Sequence, residues 1–297
     1  MRDPVIIGLL PDQRRLHLND GPIDLILEAT GTRGAVHCAY EAAARRFVTI
    51  LDELCAELPL LRTRASATTP QPGGSIARAM AAAVAPFCES CFITPMAAVA
   101  GAVAEAVLTT MTSAAEPDRA YVNNGGDIAL FLAKGQRYTI GMVERPDRPS
   151  LFGSFELSAA MPVRGVATSG WRGRSFSLGI ADAVTVLAET ASKADAAATI
   201  LANAVDLPDH PAITRVPACE IAPDSDLKEL LVTRSVGSLS RREIAQALAV
   251  GEALGRQLQR EGLIYAAALS LQGSVRVISP PGPCFALHDT SRSLIHA

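Results

Sequence analysis

Aromatic residues are scarce in this chain of 297 residues. Phe, Trp and Tyr together make up 4% of it, and Trp171 is the single tryptophan. Hydrophobic residues nevertheless reach 49%, so Ala, Val, Leu and Ile must form most of the core. A chain of this length can bury one large core or two small ones. We therefore expect Ala-rich helices that pack closely.

Basic residues are also few, and no dense stripe of Lys or Arg occurs at a net charge of -3. This composition gives no electrostatic reason to expect a nucleic-acid partner. Local arginines leave a small phosphate-bearing molecule as the predicted ligand. The oligomeric state stays open, a homo-oligomer included.

The first fifteen residues lack a long apolar run and a cleavage signature, so we predict a cytoplasmic protein rather than an exported one. One segment, residues 92–111, is apolar enough to suggest a membrane helix. It contains Pro95 and Glu105, and its apolar residues are mostly Ala and Val, which insert poorly. We predict a buried helix there and no membrane partner.

Six cysteines and five histidines are scattered along the chain, and Cys88 and Cys91 form the one CESC pair. No histidine lies at zinc-ligand spacing beside that pair, so free thiols are the default. Phosphate-binding patterns of the GxxxxGK[ST] and GxGxxG types are missing. Ser169 does not lie in a GxSxG motif, so a serine hydrolase is not supported either. His210, in a loop flanked by prolines, reads more readily as structural than as catalytic.

Periodicity and turn residues predict a mixed chain with mostly antiparallel strands. Thr63 to Gly74, rich in Thr, Pro and Gly, is predicted to be a flexible linker. A capping box at Ser240 and Glu243 should start a late helix. The predicted elements are an N-terminal hairpin turning at 19–22, helices over 35–58, 75–85, 95–114 and 240–259, a helix holding residues 195–199, strands over 119–128, 137–143, 152–157, 163–168, 183–188 and 229–236, and a closing hairpin over 265–278. Helices packed on such a sheet give an α+β layered fold.

Three segments suggest ligand handling. The first is NNGGDI, in which two glycines end an apolar strand and permit positive φ and close backbone approach to a ligand. The alternative is a tight turn capped by Asp127. The candidate residues are Asn123, Asn124, Gly125, Gly126 and Asp127.

The second segment is ATSGWRGRSFSLG, which combines small residues, hydroxyls and two arginines, as a phosphate-wrapping loop would. Trp171 could stack on a planar ring. The alternative is a surface loop whose arginines pair with nearby acids. The candidate residues are Thr168, Ser169, Gly170, Trp171, Arg172 and Arg174.

The third segment, ADAAAT, places Asp195 and Thr199 four residues apart on a predicted helix, hence on one face. Two oxygen ligands on a rigid helix can hold Mg²⁺ and leave the rest of its shell to water, a backbone carbonyl and phosphate oxygens. The alternative is a solvated Asp and a Thr bonded back to the helix backbone.

Taken in order, AYVNNGGDIALFLA, GVATSG and DAVTVLAETASKADAAAT resemble the ApbE family of flavin transferases, which move FMN from FAD onto a protein Thr or Ser. The resemblance covers about residues 90–205, and FITPMAAVAGAVAEAV matches the GGIAKGYAVD-type helix start more loosely. It implies a single ApbE-like domain over residues 1–297, a two-layer T-fold-like architecture, a flavin nucleotide pocket lined by the GG turn, and Mg²⁺ held by Asp195 and Thr199.

Two departures limit what the resemblance implies. The family's HIIDPRTG-type segment with its histidine is missing, and Ala100 stands where the family has a lysine. We therefore expect a Mg²⁺-assisted pocket for FAD or another nucleotide in which protein FMN transfer has been lost. The alternatives are an active FMN transferase and an enzyme that cleaves a nucleotide pyrophosphate.

Overall fold

A computed structural model describes residues 4–143, 151–280 and 285–287, which fall into two compact units. The first comprises Met1–Gln136, Pro162–Ala167 and Leu187–Ala197, and the second comprises Arg137–Met161, Thr168–Val186 and Ala198–Ala297. Whether the two act as a single domain stays a prediction.

Fourteen strands and seven α-helices are assigned within the described ranges. The strands are β1 Ile6–Leu9, β2 Leu16–Asp20, β3 Ile23–Thr30, β4 Arg119–Asn124, β5 Asp127–Leu132, β6 Arg137–Val143, β7 Leu151–Ser158, β8 Gly165–Ser169, β9 Ala183–Ala188, β10 Ile213–Pro217, β11 Leu231–Val236, β12 Ala266–Leu271, β13 Ser274–Ile278 and β14 Phe285–Leu287. The helices are α1 Arg33–Ala56, α2 Leu58–Leu61, α3 Ser75–Val84, α4 Val99–Ala114, α5 Ala191–Ala204, α6 Ala218–Ile221 and α7 Arg241–Arg260.

The first unit is an antiparallel sheet covered by helices on one face. Its strands follow the order β1-β2-β3-β4-β5-β8, and the pairings from β1 to β8 along this order are antiparallel. Burial alternates along β2, β3 and β4, as expected where one face of a sheet is packed. Helices α1 and α4 contact these strands and each other, and their small residues allow the close packing that the composition predicted.

Pro95–Ala114, a 3₁₀ turn followed by α4, is the one described helical stretch long and apolar enough to cross a membrane. Length and apolar composition alone do not separate a membrane span from the core helix of a globular unit. Here α4 packs against α1, α3, β4 and β5, with Val103, Val107 and Met111 fully buried. This packing agrees with the buried helix that we expected.

The second unit contains three groups of strands. Strands β9, β12 and β13 are neighbours, β6 and β7 pair with β14 beyond β7, and β10 pairs with β11. Helix α7 packs on β12 and β13, and it begins with the predicted capping box of Ser240 and Glu243. Gly251 and Gly255 lie on the buried face of this helix, where an added Cβ would meet Val205 or Ile278.

The α+β class with antiparallel strands and packed helices is confirmed. The single strand predicted over 119–128 is wrong, because the chain turns at Gly125 and Gly126 and forms two strands, β4 and β5. Strand β10 was not predicted from the sequence, because prolines lie at its last residue, 217, and close to it on both sides, at 208, 211 and 223. The two-layer T-fold-like architecture stays a prediction.

Two glycines of the first unit face one short stretch of backbone. A Cβ on Gly101 would lie 2.3 Å from the carbonyl oxygen of Ala191, and one on Gly165 would lie 2.1 Å from the carbonyl carbon and oxygen of Thr190. The connection from β9 into α5 is therefore packed directly against both α4 and β8.

Gly101→Ala should destabilise the protein strongly, because its methyl group would meet backbone atoms that cannot rotate away. We expect a loss at or above the upper end of the range of about 1–3 kcal/mol that overpacking usually costs. Urea unfolding of the variant and the wild type measures it. Gly34→Ala is the matched control, because it also lies in the first turn of a helix but has nothing within 4 Å of its Cβ position. A Gly101→Ala variant as stable as the control would contradict this packing.

Candidate functional site

Asp195 lies in the second turn of α5, and its carboxylate faces the beginning of α4. The backbone N–H of Gly101 donates to its Oδ2 at 3.0 Å. The side chain amide of Asn124 donates to the carbonyl oxygen of Ala100 at 3.2 Å. Residues from α5, α4 and β4 thus converge on one small region of the first unit.

The Asp195 carboxyl is held in a strongly desolvated and negative environment, although part of the residue surface remains accessible. Burial raises the pKa of this carboxyl well above its usual range, and the negative charge of Asp127 raises it further. The N–H groups of Gly101 and Ala100 oppose the shift, and Glu105 adds to it. Two carboxylates that disfavour each other's charge at one place are a suitable environment for a cation.

Asp127 owes its position to the turn between β4 and β5. Asn124 and Asp127 are paired across the two strands, and both residues between them have positive φ, +66° at Gly125 and +116° at Gly126. A type I′ hairpin turn requires positive φ at both central positions, which explains the two glycines. An added Cβ on Gly126 would meet nothing within 4 Å, so this side of the turn is open.

The two asparagines before the turn have protein partners. Asn123 Oδ1 accepts a hydrogen bond from the N–H of Gly126 at 2.8 Å, so Asn123 shapes the turn. Asn124 is buried and is bonded to Ala100 as described above. Their predicted contacts with a flavin ring, a ribose or an ordered water remain predictions.

The oxygen atoms at and near Asp195 suit a hard cation such as Mg²⁺, which prefers oxygen ligands. Asp127 and Asp195 supply carboxylates, and Thr199 follows Asp195 by one turn of α5. No cluster of three or more His, Cys, Asp or Glu side chains suited to a metal occurs in the part of the chain that the structure describes. A cation here would therefore need further ligands from water or from a bound phosphate.

The loop after β8 belongs to the second unit and is organised by Asp182. The Trp171 indole N–H and the Arg172 Nε both donate to Asp182 Oδ1, at 3.2 Å and 2.5 Å. Asp182 Oδ2 accepts from the N–H of Gln272 at 2.5 Å. The Arg172 guanidinium also stacks over the Trp171 ring, 4.3 Å from its centre. Arg172 is therefore paired with an acid, as the alternative interpretation of this loop expected.

The other candidates in this loop differ from Arg172. Arg174 is exposed, and no hydrogen bond or ion pair is recorded for it within residues 151–280. Thr168 Oγ1 lies 3.0 Å from the hydroxyl of Thr185. A Cβ on Gly170 would lie 2.5 Å from the carbonyl oxygen of Asp182, so this glycine permits a close turn, whereas Ser169 is partly exposed. Their roles toward a ligand stay predictions.

His210 is held by hydrogen bonds on both of its ring nitrogens. Its Nδ1 accepts from the N–H of Ala212 at 3.2 Å, so its Nε2 carries the proton donated to Glu243 Oε1 at 3.0 Å. This bond is the largest cause that lowers the pKa of Glu243 to about 2.

Cys88 and Cys91 are half-buried free thiols, and burial raises the pKa of Cys91. Cys284, His288 and His296 lie outside the described residues.

The family to which this chain belongs follows from its sequence as a whole. Residues 7–277 match the model of the family described as "AbpE bacteria". Because the match covers most of the chain, the chain belongs to that family. The resemblance to the ApbE-like superfamily drawn from the motifs is thereby confirmed.

Among curated proteins, similarity is found to proteins named UPF0280 from methanogenic archaea. The one from Methanopyrus kandleri is 38% identical over 156 residues, which is 52% of this chain and 59% of that protein. The one from Methanosphaerula palustris is also 38% identical over 156 residues, 52% of this chain and 63% of that protein. The matched region spans less than two thirds of the length of either relative.

Solved structures of flavin transferases give a distant structural comparison. The apo form of flavinyl transferase ApbE from Pseudomonas stutzeri has a TM-score of 0.40 and 14% identity, with 95% of this chain and 96% of that chain covered. A substituted form of flavin transferase ApbE from Vibrio cholerae has a TM-score of 0.35 and 11% identity, with 94% and 97% covered.

Three residues with clear roles around Asp195 and in the loop after β8 were not predicted from the sequence. Gly101 and Glu105 lie in the apolar helix α4, and Asp182 precedes the buried strand β9. One signal was available in the sequence, since Glu105 is the one charged residue within α4. A lone charge in an apolar helix indicates a polar partner on another element.

Asp182→Asn should loosen the loop around Trp171. An asparagine offers one acceptor oxygen, so its amide group would face either the Gln272 N–H or the donors of Trp171 and Arg172. We expect a loss of about 1–3 kcal/mol in unfolding free energy, the cost of an unsatisfied polar group, and a shifted Trp171 emission. Fluorescence measures this directly, because the chain has one tryptophan. Asp224→Asn, at an exposed residue of the same unit, should change neither quantity. An unchanged emission spectrum in Asp182→Asn would count against this organisation.

Proposed function

We propose that this protein binds FAD or a related nucleotide through its phosphates, with Mg²⁺ between phosphate oxygens and the carboxylates of Asp127 and Asp195. The observation that carries the proposal is the desolvated Asp195 carboxyl, which accepts from the N–H of Gly101 in the first turn of α4 while the negative charge of Asp127 acts on it. The order of the three motifs supports a flavin nucleotide, since the ApbE family that they resemble acts on FAD.

The charge balance of the pair explains why metal and nucleotide should bind together. The carboxylates of Asp127 and Asp195 favour a cation, but they repel a phosphate. Mg²⁺ keeps several waters and is usually held by one or two carboxylates together with substrate phosphates. Thr199, one turn after Asp195, is the proposed third protein ligand. The cation would neutralise the carboxylates and give the phosphates a favourable partner.

Transfer of FMN onto a protein hydroxyl is proposed to be lost. The HIIDPRTG-type segment of the resembling family, with its histidine, is absent, and so is the lysine at position 100. Removing such groups takes away a general base and a phosphate-binding charge. Binding of the nucleotide needs neither.

A second candidate function is hydrolysis of the nucleotide pyrophosphate. It is favoured by the retained carboxylate pair, because a bound Mg²⁺ can polarise a phosphoryl oxygen and orient an attacking water. In that reaction water attacks one phosphorus of FAD, the bridging P–O bond breaks, and FMN and AMP are released. Chromatographic detection of AMP formed from FAD and Mg²⁺ distinguishes it from binding alone.

Binding of FAD should tighten when Mg²⁺ is present, by about tenfold or more, because the metal completes its shell with phosphate oxygens. Calorimetric titration with FAD, with and without Mg²⁺, measures this coupling. Asp195→Asn and Asp127→Asn should abolish it, whereas Asp224→Asn should keep it. Equal FAD affinity with and without Mg²⁺ in the wild type would refute the shared metal site. Asp127→Asn is tested beside Asp195→Asn because Asp195 also accepts from the Gly101 N–H, so its substitution changes the contact between α4 and α5 as well as the proposed metal ligand.

No flavin should be transferred to a peptide that contains Thr or Ser, even with FAD and Mg²⁺ in excess.

The exposed Arg174 is instead expected to assist phosphate binding, so Arg174→Ala should weaken FAD binding by about tenfold to a hundredfold, as loss of a charge-assisted bond does. Arg172→Ala is the matched comparison, and it should mainly lower stability because Asp182 loses its partner. A flavin-peptide adduct seen by mass spectrometry would restore the transferase, and unchanged affinity in Arg174→Ala would remove this arginine from the site.

A further inference from the structure

Glu105 carries the one charge of α4, and it is directed at the first turn of α5. Its Oε1 accepts hydrogen bonds from the Ser192 N–H at 2.7 Å and from the Ser192 hydroxyl at 3.0 Å. The first N–H groups of a helix have no partner within the helix, and a carboxylate stabilises them both as an acceptor and as a negative charge. Glu105 thus fixes the beginning of α5.

The contact is reciprocal. Asp195, three residues after Ser192, accepts from the N–H of Gly101, four residues before Glu105. Each helix therefore supplies the carboxylate that caps the other, and the spacings place both participants of each helix on one face. The close approach of Gly101 to Ala191 leaves no room for either helix to shift independently. We call the four residues Gly101, Glu105, Ser192 and Asp195 the clasp.

We propose that Glu105 is a positioning residue for the metal ligand Asp195, which extends the function proposed above and depends on it. Glu105 acts through Ser192 and the first turn of α5, without touching metal or nucleotide. Mg²⁺ requires nearly ideal octahedral geometry with ligand distances of about 2.0–2.1 Å, so a small rotation of α5 misplaces its carboxylate. Groups that orient metal ligands typically change metal affinity by about tenfold to a hundredfold when they are removed.

The test compares Glu105→Gln with Glu189→Gln by calorimetric titration of Mg²⁺ into FAD-saturated protein. Glutamine keeps the shape of Glu105 but removes its charge. Glu189 is the matched control, because it lies two residues before α5, is exposed and pairs with Lys193. We expect Mg²⁺ affinity to fall about tenfold or more in Glu105→Gln, with FAD affinity in the absence of Mg²⁺ unchanged, and no effect in the control.

The outcomes separate the two proposals. If the wild type shows Mg²⁺ coupling and Glu105→Gln keeps it, the positioning role is overturned while the proposed function stands. If Glu105→Gln weakens FAD binding equally with and without Mg²⁺, its role is structural alone, which also overturns the proposal. If the wild type shows no coupling, both proposals fall. Ser192→Ala, which removes one of the two bonds to Glu105, replaces Glu105→Gln if that variant does not fold, and it should show a smaller loss of the same kind.

Discussion

The backbone from Thr190 to Ser192 is confined between Gly101 and Gly165, and the arrangement of side chains around Asp195 depends on this constraint. Side chains cannot separate the three segments there, since a Cβ on either glycine would lie within 2.3 Å of that backbone. Helices α4 and α5 consequently meet at their N-terminal turns, where unpaired N–H groups are concentrated. Carboxylates from the opposite helix satisfy these groups. The close backbone contact between α4 and α5 therefore brings the four residues of the clasp together. The hydrogen bonds within the clasp then fix the position of the Asp195 carboxylate.

The position of Asp195 is rigid but electrostatically unfavourable without a partner cation. Burial and the negative charge of Asp127 raise the pKa of its carboxyl, while the N–H groups of Gly101 and Ala100 compensate in part. Natural proteins tolerate such arrangements mainly at functional sites, where a ligand supplies the missing charge. The hairpin turn at Gly125 and Gly126 adds to this interpretation, since it fixes the position of Asp127 and leaves its own outer side open. In the proposed function, capping and ligand binding would thus use the same carboxylate.

Sequence predicted most of the elements because hydrophobic periodicity and turn residues are local signals. Strand 183–188, the capping box at Ser240 and the closing hairpin followed directly from such patterns. Local signals did not show which helix Glu105 would cap or that Asp182 would bind both Trp171 and Arg172, because these partners lie 87 and about ten residues away in sequence. Composition likewise suggested that Arg172 and Arg174 were equivalent. The structure distinguishes them, since Asp182 pairs with Arg172, whereas Arg174 is exposed.

Ala100 stands where the transferases that the motifs resemble have a lysine, and this difference affects how the proposed site can work. A lysine at that position would place a permanent positive charge at the first turn of α4, next to the carboxylate pair. With alanine there, the N–H groups of the helix are the remaining positive groups on α4, and a helix N-terminus carries only about half a unit charge. Such partial compensation leaves the carboxylates net negative toward an approaching phosphate. Under the proposed function, a divalent cation would supply the attraction at this site, and phosphate oxygens would complete its shell. On this proposal, alanine at position 100 makes binding of the metal and binding of the phosphate depend on each other.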